Sequence, residues 1–172
     1  ISSLTADLDF SDLSALGGRY RGALKASASM TGPAEAREIV LAATSDRLAV
    51  GQSEIDRIIG SPAELSLAIV QRGSAVDLRS FSLSNSDVTI NATGSSSGAG
   101  QVIELTSRLR DMSALAPGFP GPLTLGGKIE QQESGYRVDL SGSGPGGTTA
   151  AITGSVSTDG STADLTIAGG AQ

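Results

Sequence analysis

Glu64-Leu65-Ser66-Leu67-Ala68-Ile69, followed by Val76-Asp77-Leu78 and Asp87-Val88-Thr89-Ile90-Asn91-Ala92, is the stretch whose reading decides the fold. Large aliphatics fall at every second position, which is the side-chain period of a β-strand. The residues between them are mostly small or polar, so each strand has one apolar and one solvated face. Only short polar or glycine-containing connections intervene, and the stretch from Ala63 to Leu109 reads as an antiparallel meander. Between Leu78 and Phe81 the alternation slips by one residue, which predicts a bulge or bend near Arg79-Ser80.

Working outward, Leu4, Ala6, Leu8 and Phe10 alternate with Thr5, Asp7 and Asp9 on a first strand over 4–10. Ser11 or Asp12 can cap a single helical turn that Gly17-Gly18 ends. A second strand over 22–32 stops at Gly32-Pro33. Residues 37–44 and 47–50 form either two short strands around Ser45-Asp46 or one bent strand. Ile55, Ile58 and Ile59 fit either a short helical turn or a bulged strand ahead of Gly60-Ser61-Pro62. Gly94 to Gly100 reads as a flexible hairpin loop before the strand of Ile103, Leu105 and Leu109. Strands near 122–131, 135–142, 148–157 and 162–168 follow, separated by the turn chemistry of Glu133-Ser134-Gly135, Gly144-Pro145-Gly146-Gly147 and Asp159-Gly160.

The chain repeats itself. Asp12-Leu-Ser-Ala-Leu16 aligns with Asp111-Met-Ser-Ala-Leu115 at an offset of 99 residues. At the same offset Tyr20 meets Phe119, Gly22 meets Gly121 and Leu24 meets Leu123. Strand phase is kept on both sides, from Leu4 on Ile103 to Ile39 on Val138 and Leu41 on Leu140. The chain is therefore read as one segment, 1–172, of a repetitive sheet, with one copy over about 4–102 and a second, incomplete copy over 103–172.

Composition removes several function classes. There is no cysteine and no histidine, which excludes a disulfide framework and a zinc-finger site and removes the commonest general base. Net charge is −6, and the ten Arg and two Lys are scattered, which argues against nucleic acid as a partner. No apolar run approaches the length of a membrane span, and the residues from Ile1 onward form no charged n-region or signal-peptide h-region; the chain reads as a piece of a longer protein, whose anchor or export signal would lie outside it. Lys25 and Lys128 lie in strands, where Lys128 alternates outward with the polar residues. Asp7 and Asp9 share a strand face and read as acidic decoration more than as a calcium site. The Gly-rich segments at 94–100 and 142–147 lack the Lys-Ser/Thr and the helix that a phosphate loop requires. The residues are those of a non-enzymatic protein with no cofactor.

What covers the apolar face then decides function. Single helical turns are too short to do so, and a sandwich core is thinly supplied by a chain with no Trp, two Tyr and three Phe. The remaining solution is an all-β meander curled into a β-groove whose apolar concave face meets acyl chains, held by area alone. Its expected lining is Leu65, Leu67, Ile69, Val76, Leu78, Val88, Ile90, Ile103, Leu105, Leu109, Val138 and Leu140. A β-solenoid of an adhesive kind would need coils near 20 residues, which the offset of 99 disfavours. A scaffold offering a sheet edge to nascent strands uses the same trough.

The paired segments Asp12-Leu-Ser-Ala-Leu…Tyr20-Arg-Gly-Ala-Leu24 and Asp111-Met-Ser-Ala-Leu…Phe119-Pro-Gly-Pro-Leu123, set between alternating strands, resemble the TamB family of the translocation and assembly module, AsmA-like proteins of the repeating β-groove type. The resemblance implies a taco-like β-groove and a periplasmic location. It also implies a parent protein anchored in the inner membrane by a segment not in this chain, with a TamA-type outer-membrane β-barrel as partner. The family's functions are phospholipid transport between membranes and outer-membrane biogenesis, including autotransporter assembly. No catalytic residue is carried over. The low aromatic content and the glycine-rich final third depart from the family pattern.

Overall fold

The computed structural model describes residues 2–33, 35–73, 75–97, 100–114, 116–158 and 161–170. Eleven antiparallel strands form one open, mildly curved sheet in strict sequence order. They are β1 (Ser2–Phe10), β2 (Arg21–Gly32), β3 (Arg37–Ala49), β4 (Ala63–Arg72), β5 (Ala75–Ser84), β6 (Val88–Ser97), β7 (Gly100–Leu109), β8 (Leu123–Gln132), β9 (Gly135–Ser143), β10 (Thr149–Ser157) and β11 (Ala163–Gly170). The all-β meander expected from the alternation is the architecture found. Every longer connection, including a 3-10 turn at Leu13–Leu16, helix α1 at Ser53–Ile59 and a second 3-10 turn at Met112–Ala114, lies at the same end of the sheet. Short hairpins close the other end.

Where the alternation slips, the strand carries one extra residue. Ala68 faces Ser80 and Ile69 faces Leu78, which leaves Arg79 unmatched as a bulge. On the other side Leu78 faces Gly94 and Phe81 faces Ala92, so the same bulge is absorbed by both neighbours. The bulge returns Phe81 and Leu83 to the face that Leu78 occupies. Deleting the exposed Arg79 leaves strict alternation from Val76 to Leu83, so the deletion protein should fold with stability within about 1 kcal/mol of the parent in urea titration. A loss of folding would show that the bend at Arg79, and not register alone, holds the sheet.

Two sequence expectations are refined. β3 runs unbroken through Ser45-Asp46; the bend is a second bulge, with Arg47 at φ 51° opposite Gly22, whose absent Cβ would lie 2.4 Å from the Arg47 carbonyl oxygen. The Ile55, Ile58, Ile59 spacing belongs to helix α1, whose first turn is tied down by the Asp56 carboxylate accepting from the Val50 N–H at 2.7 Å and from the Gly51 N–H at 3.2 Å. One expectation is corrected. Gly94 to Ser97 is not loop but the end of β6, paired residue for residue with Ile103 down to Gly100. A ladder is made by backbone groups, and a partner strand in register holds Gly and Ser as readily as Val. The tip at 98–99, like Leu115 in the second motif and the Asp159-Gly160 turn, lies outside the described residues.

The two motif copies fold alike locally. The Asp12 carboxylate accepts the Ser14 N–H at 2.9 Å, and the Asp111 carboxylate accepts the Ser113 N–H at 2.9 Å. The Tyr20 N–H donates to the Gly17 carbonyl as the Phe119 N–H donates to the Ala116 carbonyl, both at 2.9 Å. Asp12, not Ser11, is thus the cap. Its carboxyl is held below the ordinary carboxylate value by the Ser14 backbone N–H and hydroxyl; Asp111 is lowered first by the Gly121 N–H and then by Ser113.

Candidate functional site

Register converts eleven alternating strands into continuous rows. Antiparallel partners directly opposite one another share a face, so each row can be followed from edge to edge. One row runs Leu4, Met30, Ile39, Ile69, Leu78, Gly94, Ile103, Ile129, Val138, Gly154, Leu165. The next runs Ala6, Ala28, Leu41, Leu67, Phe81, Ala92, Leu105, Gly127, Leu140, Ile152, Ile167. A third runs Leu8, Ala26, Ala43, Leu65, Leu83, Ile90, Ser107, Leu125, Gly142, Ala150, Gly169, with Ser107 as its single polar member. Ten inter-strand steps of about 4.8 Å make each row about 48 Å long.

All twelve residues named as lining from the sequence sit on this face. Leu65, Leu67, Ile69, Leu78, Ile90, Ile103, Leu105, Val138 and Leu140 lie in the three rows. Val76 flanks them towards the hairpin end, while Val88 and its partner Leu109 flank them at the other end. Sequence reasoning did not name the members from β1 to β3, nor Phe81, Leu83, Leu125, Ile129 and Ile152. Their alternation was visible, but only register shows that they continue the same rows.

The face is unevenly covered. Leu109, Leu125, Val138 and Leu140 are buried, and Leu125, Val138 and Leu140 pack with Leu105, Leu123, Ile129, Ala150, Ile152 and Val156 into a core cluster. β8 and β10 approach each other across β9 there, so the sheet is drawn in most tightly at this point. Towards the edges the same rows are open, with Leu4 60%, Leu8 53% and Ile167 73% exposed. The whole chain exposes 10590 Å². A compact monomer of this mass would expose about 7,800 Å², so roughly a quarter of the surface is excess left by the uncovered sheet.

The opposite face is polar and solvated. Among its ion pairs, Lys25 Nζ to Asp9 at 3.0 Å and Lys128 Nζ to Glu104 at 3.7 Å are cross-strand and exposed, each worth under about 1 kcal/mol, and Arg72 Nη1 reaches the half-covered Asp77 at 2.6 Å. Two shallow depressions of about 600 and 460 Å³ lie on it, the first including Asp7, Lys25, Thr44 and Ser66, the second including Asn91, Thr106 and Ser141. Among the described residues no group of His, Cys, Asp and Glu converges as a metal site requires.

The connections at one end of the sheet form a polar rim. Asp87 accepts from Ser61 Oγ at 2.6 Å and Ser86 Oγ at 2.8 Å, and these hydroxyls lower its carboxyl. Asn85 Nδ2 donates to the Ile58 carbonyl at 2.8 Å, and Arg57 Nη1 donates to the Ala114 carbonyl at 3.1 Å, tying α1 to its neighbours along the rim. Tyr20 lies under the Arg19 guanidinium, 5.1 Å from the ring centre, and Phe119 is 61% exposed above an apolar cavity. Comparison with protein-family models, with curated proteins and with solved structures finds no match to this chain.

Proposed function

We propose that this chain is a non-enzymatic, lipid-conducting β-groove segment. The observation that supports it is the three continuous rows, apolar but for Ser107, about 48 Å long against the roughly 15 Å that acyl chains occupy in one leaflet. A face of that length, without a charged side chain in any of the three rows, offers area and no specific polar contact. It therefore holds phospholipid acyl chains anywhere along its length, as a conduit requires. With the TamB resemblance, the reading places the chain in a periplasmic protein anchored in the inner membrane. That protein passes phospholipid towards the outer membrane and has a TamA-type barrel as its partner.

A second reading is a scaffold that pairs with nascent outer-membrane strands, which would use the same trough. A photocrosslinking residue at Ile90 and, separately, at Thr89 of the protein in its own cells separates the two. Lipid adducts at Ile90 and not at Thr89 are the expected result. Protein adducts at Ile90 favour the scaffold, and adducts only to its own chain overturn the conduit.

A further inference from the structure

The apolar rows end at β8 to β11 in a cavity of about 620 Å³ with a roof. Its floor is Leu125, Ala150, Ile152 and Ile167, and its depth comes from the small side chains of the third row. Met112 and Phe119 form the roof. This loop is closed at its base, because the Met112 N–H donates to the Gly121 carbonyl at 2.7 Å while the Asp111 carboxylate accepts the Gly121 N–H at 3.0 Å. Arg57 holds the Ala114 carbonyl from the side, so the roof is fixed at both flanks. At the equivalent place in the first motif, Tyr20 brings a hydroxyl and is engaged by Arg19.

We infer that this cavity receives the methyl end of a single acyl chain lying along the rows. The inference rests on the lipid reading and adds a direction to it. Among the described residues no ionisable side chain lines the cavity, so a lipid headgroup placed there would lose its hydration with nothing to replace it. The volume lies in the range of small-ligand sites, and the lining is apolar on floor and roof alike. The headgroup is then held out over the open part of the face, towards β1.

The test uses the full chain, which has no tryptophan of its own. Phe119→Trp and Leu8→Trp each place one fluorophore, at the roofed and at the open end of the face. Each protein is mixed with phosphatidylcholine brominated near the methyl end or near the glycerol end of one chain. The expected result for Phe119→Trp is at least threefold stronger quenching by methyl-end bromine, with no such bias for Leu8→Trp. Adding Gly169→Leu to Phe119→Trp fills the floor and should abolish the bias. An added Cβ at Gly169 meets nothing closer than the Thr149 carbonyl oxygen at 3.4 Å, so this variant should fold. Equal quenching of Phe119→Trp by both lipids overturns the inference. Quenching of Leu8→Trp alone does so while leaving the lipid reading intact, and quenching of neither overturns that reading as well. A concentration-dependent blue shift of Phe119→Trp without lipid would put a second copy over the cavity, which also overturns it.

Discussion

Replacing Gly142 with alanine should lower the thermal midpoint by roughly 10 °C, although the change adds one methyl group to an apolar face. Gly142 sits in β9 between Leu125 and Ala150. A Cβ at this position would lie 1.8 Å from the Thr124 carbonyl oxygen and 3.0 Å from the Leu125 Cα. Both are backbone atoms of a paired strand and cannot rotate away. β8 and β9 would have to separate, breaking ladder hydrogen bonds beside the core cluster, at a cost of about 3–4 kcal/mol. Gly169→Ala, one strand beyond Ala150 in the same row, meets the Thr149 carbonyl oxygen only at 3.4 Å and should change the midpoint little. Circular dichroism melts of the two proteins decide the matter. Equal midpoints would mean that the strands are not held at the observed spacing. Gly127 and Gly154, whose Cβ atoms would come within 2.1 and 2.0 Å of backbone oxygens, extend the pattern. The glycine-rich final third, where glycine stands in place of side chains that could fill a core, is thus where the sheet is drawn tightest.

That reversal marks where sequence reading stops. Strand existence and phase were legible because period-two alternation is imposed by the pleat itself, and the slip at Arg79 was legible because a bulge breaks that period visibly. The twelve lining residues fell on one face for the same reason. Gly94 to Ser97 could not be read, because what makes it strand is the register of β7 beside it and not its own side chains. Ser45 and Asp46 carry turn chemistry yet lie within β3, where Arg47 and Gly22 absorb the misfit as a bulge. The roofed cavity was invisible for a stronger reason. The residues from 111 to 121 show no alternation, and which part of the sheet they cover depends on β10 and β11, which follow later in the chain.

The second large effect concerns where stability resides along an open sheet. Leu140→Ala should cost about 3 kcal/mol in urea titration, and Leu8→Ala less than about 1 kcal/mol. The two leucines share chemistry and sheet face, but Leu140 is 8% exposed within the core cluster and Leu8 is 53% exposed on the edge strand. Truncating Leu140 leaves a cavity that Val138, Leu125 and Ile152 must close, whereas truncating Leu8 removes a side chain already half in water. Amide hydrogen exchange should show the same gradient, with β8 to β10 the slowest and β1 and β11 the fastest. Similar costs for the two substitutions, or uniform protection, would show that the open face is covered in solution by something other than lipid. If acyl chains are the cover, adding phospholipid slows exchange chiefly in the strands whose rows are open, because a ligand stabilises what it buries. β1 to β3 would then gain protection while β9 changes little, and the gradient itself reports which part of the face is occupied.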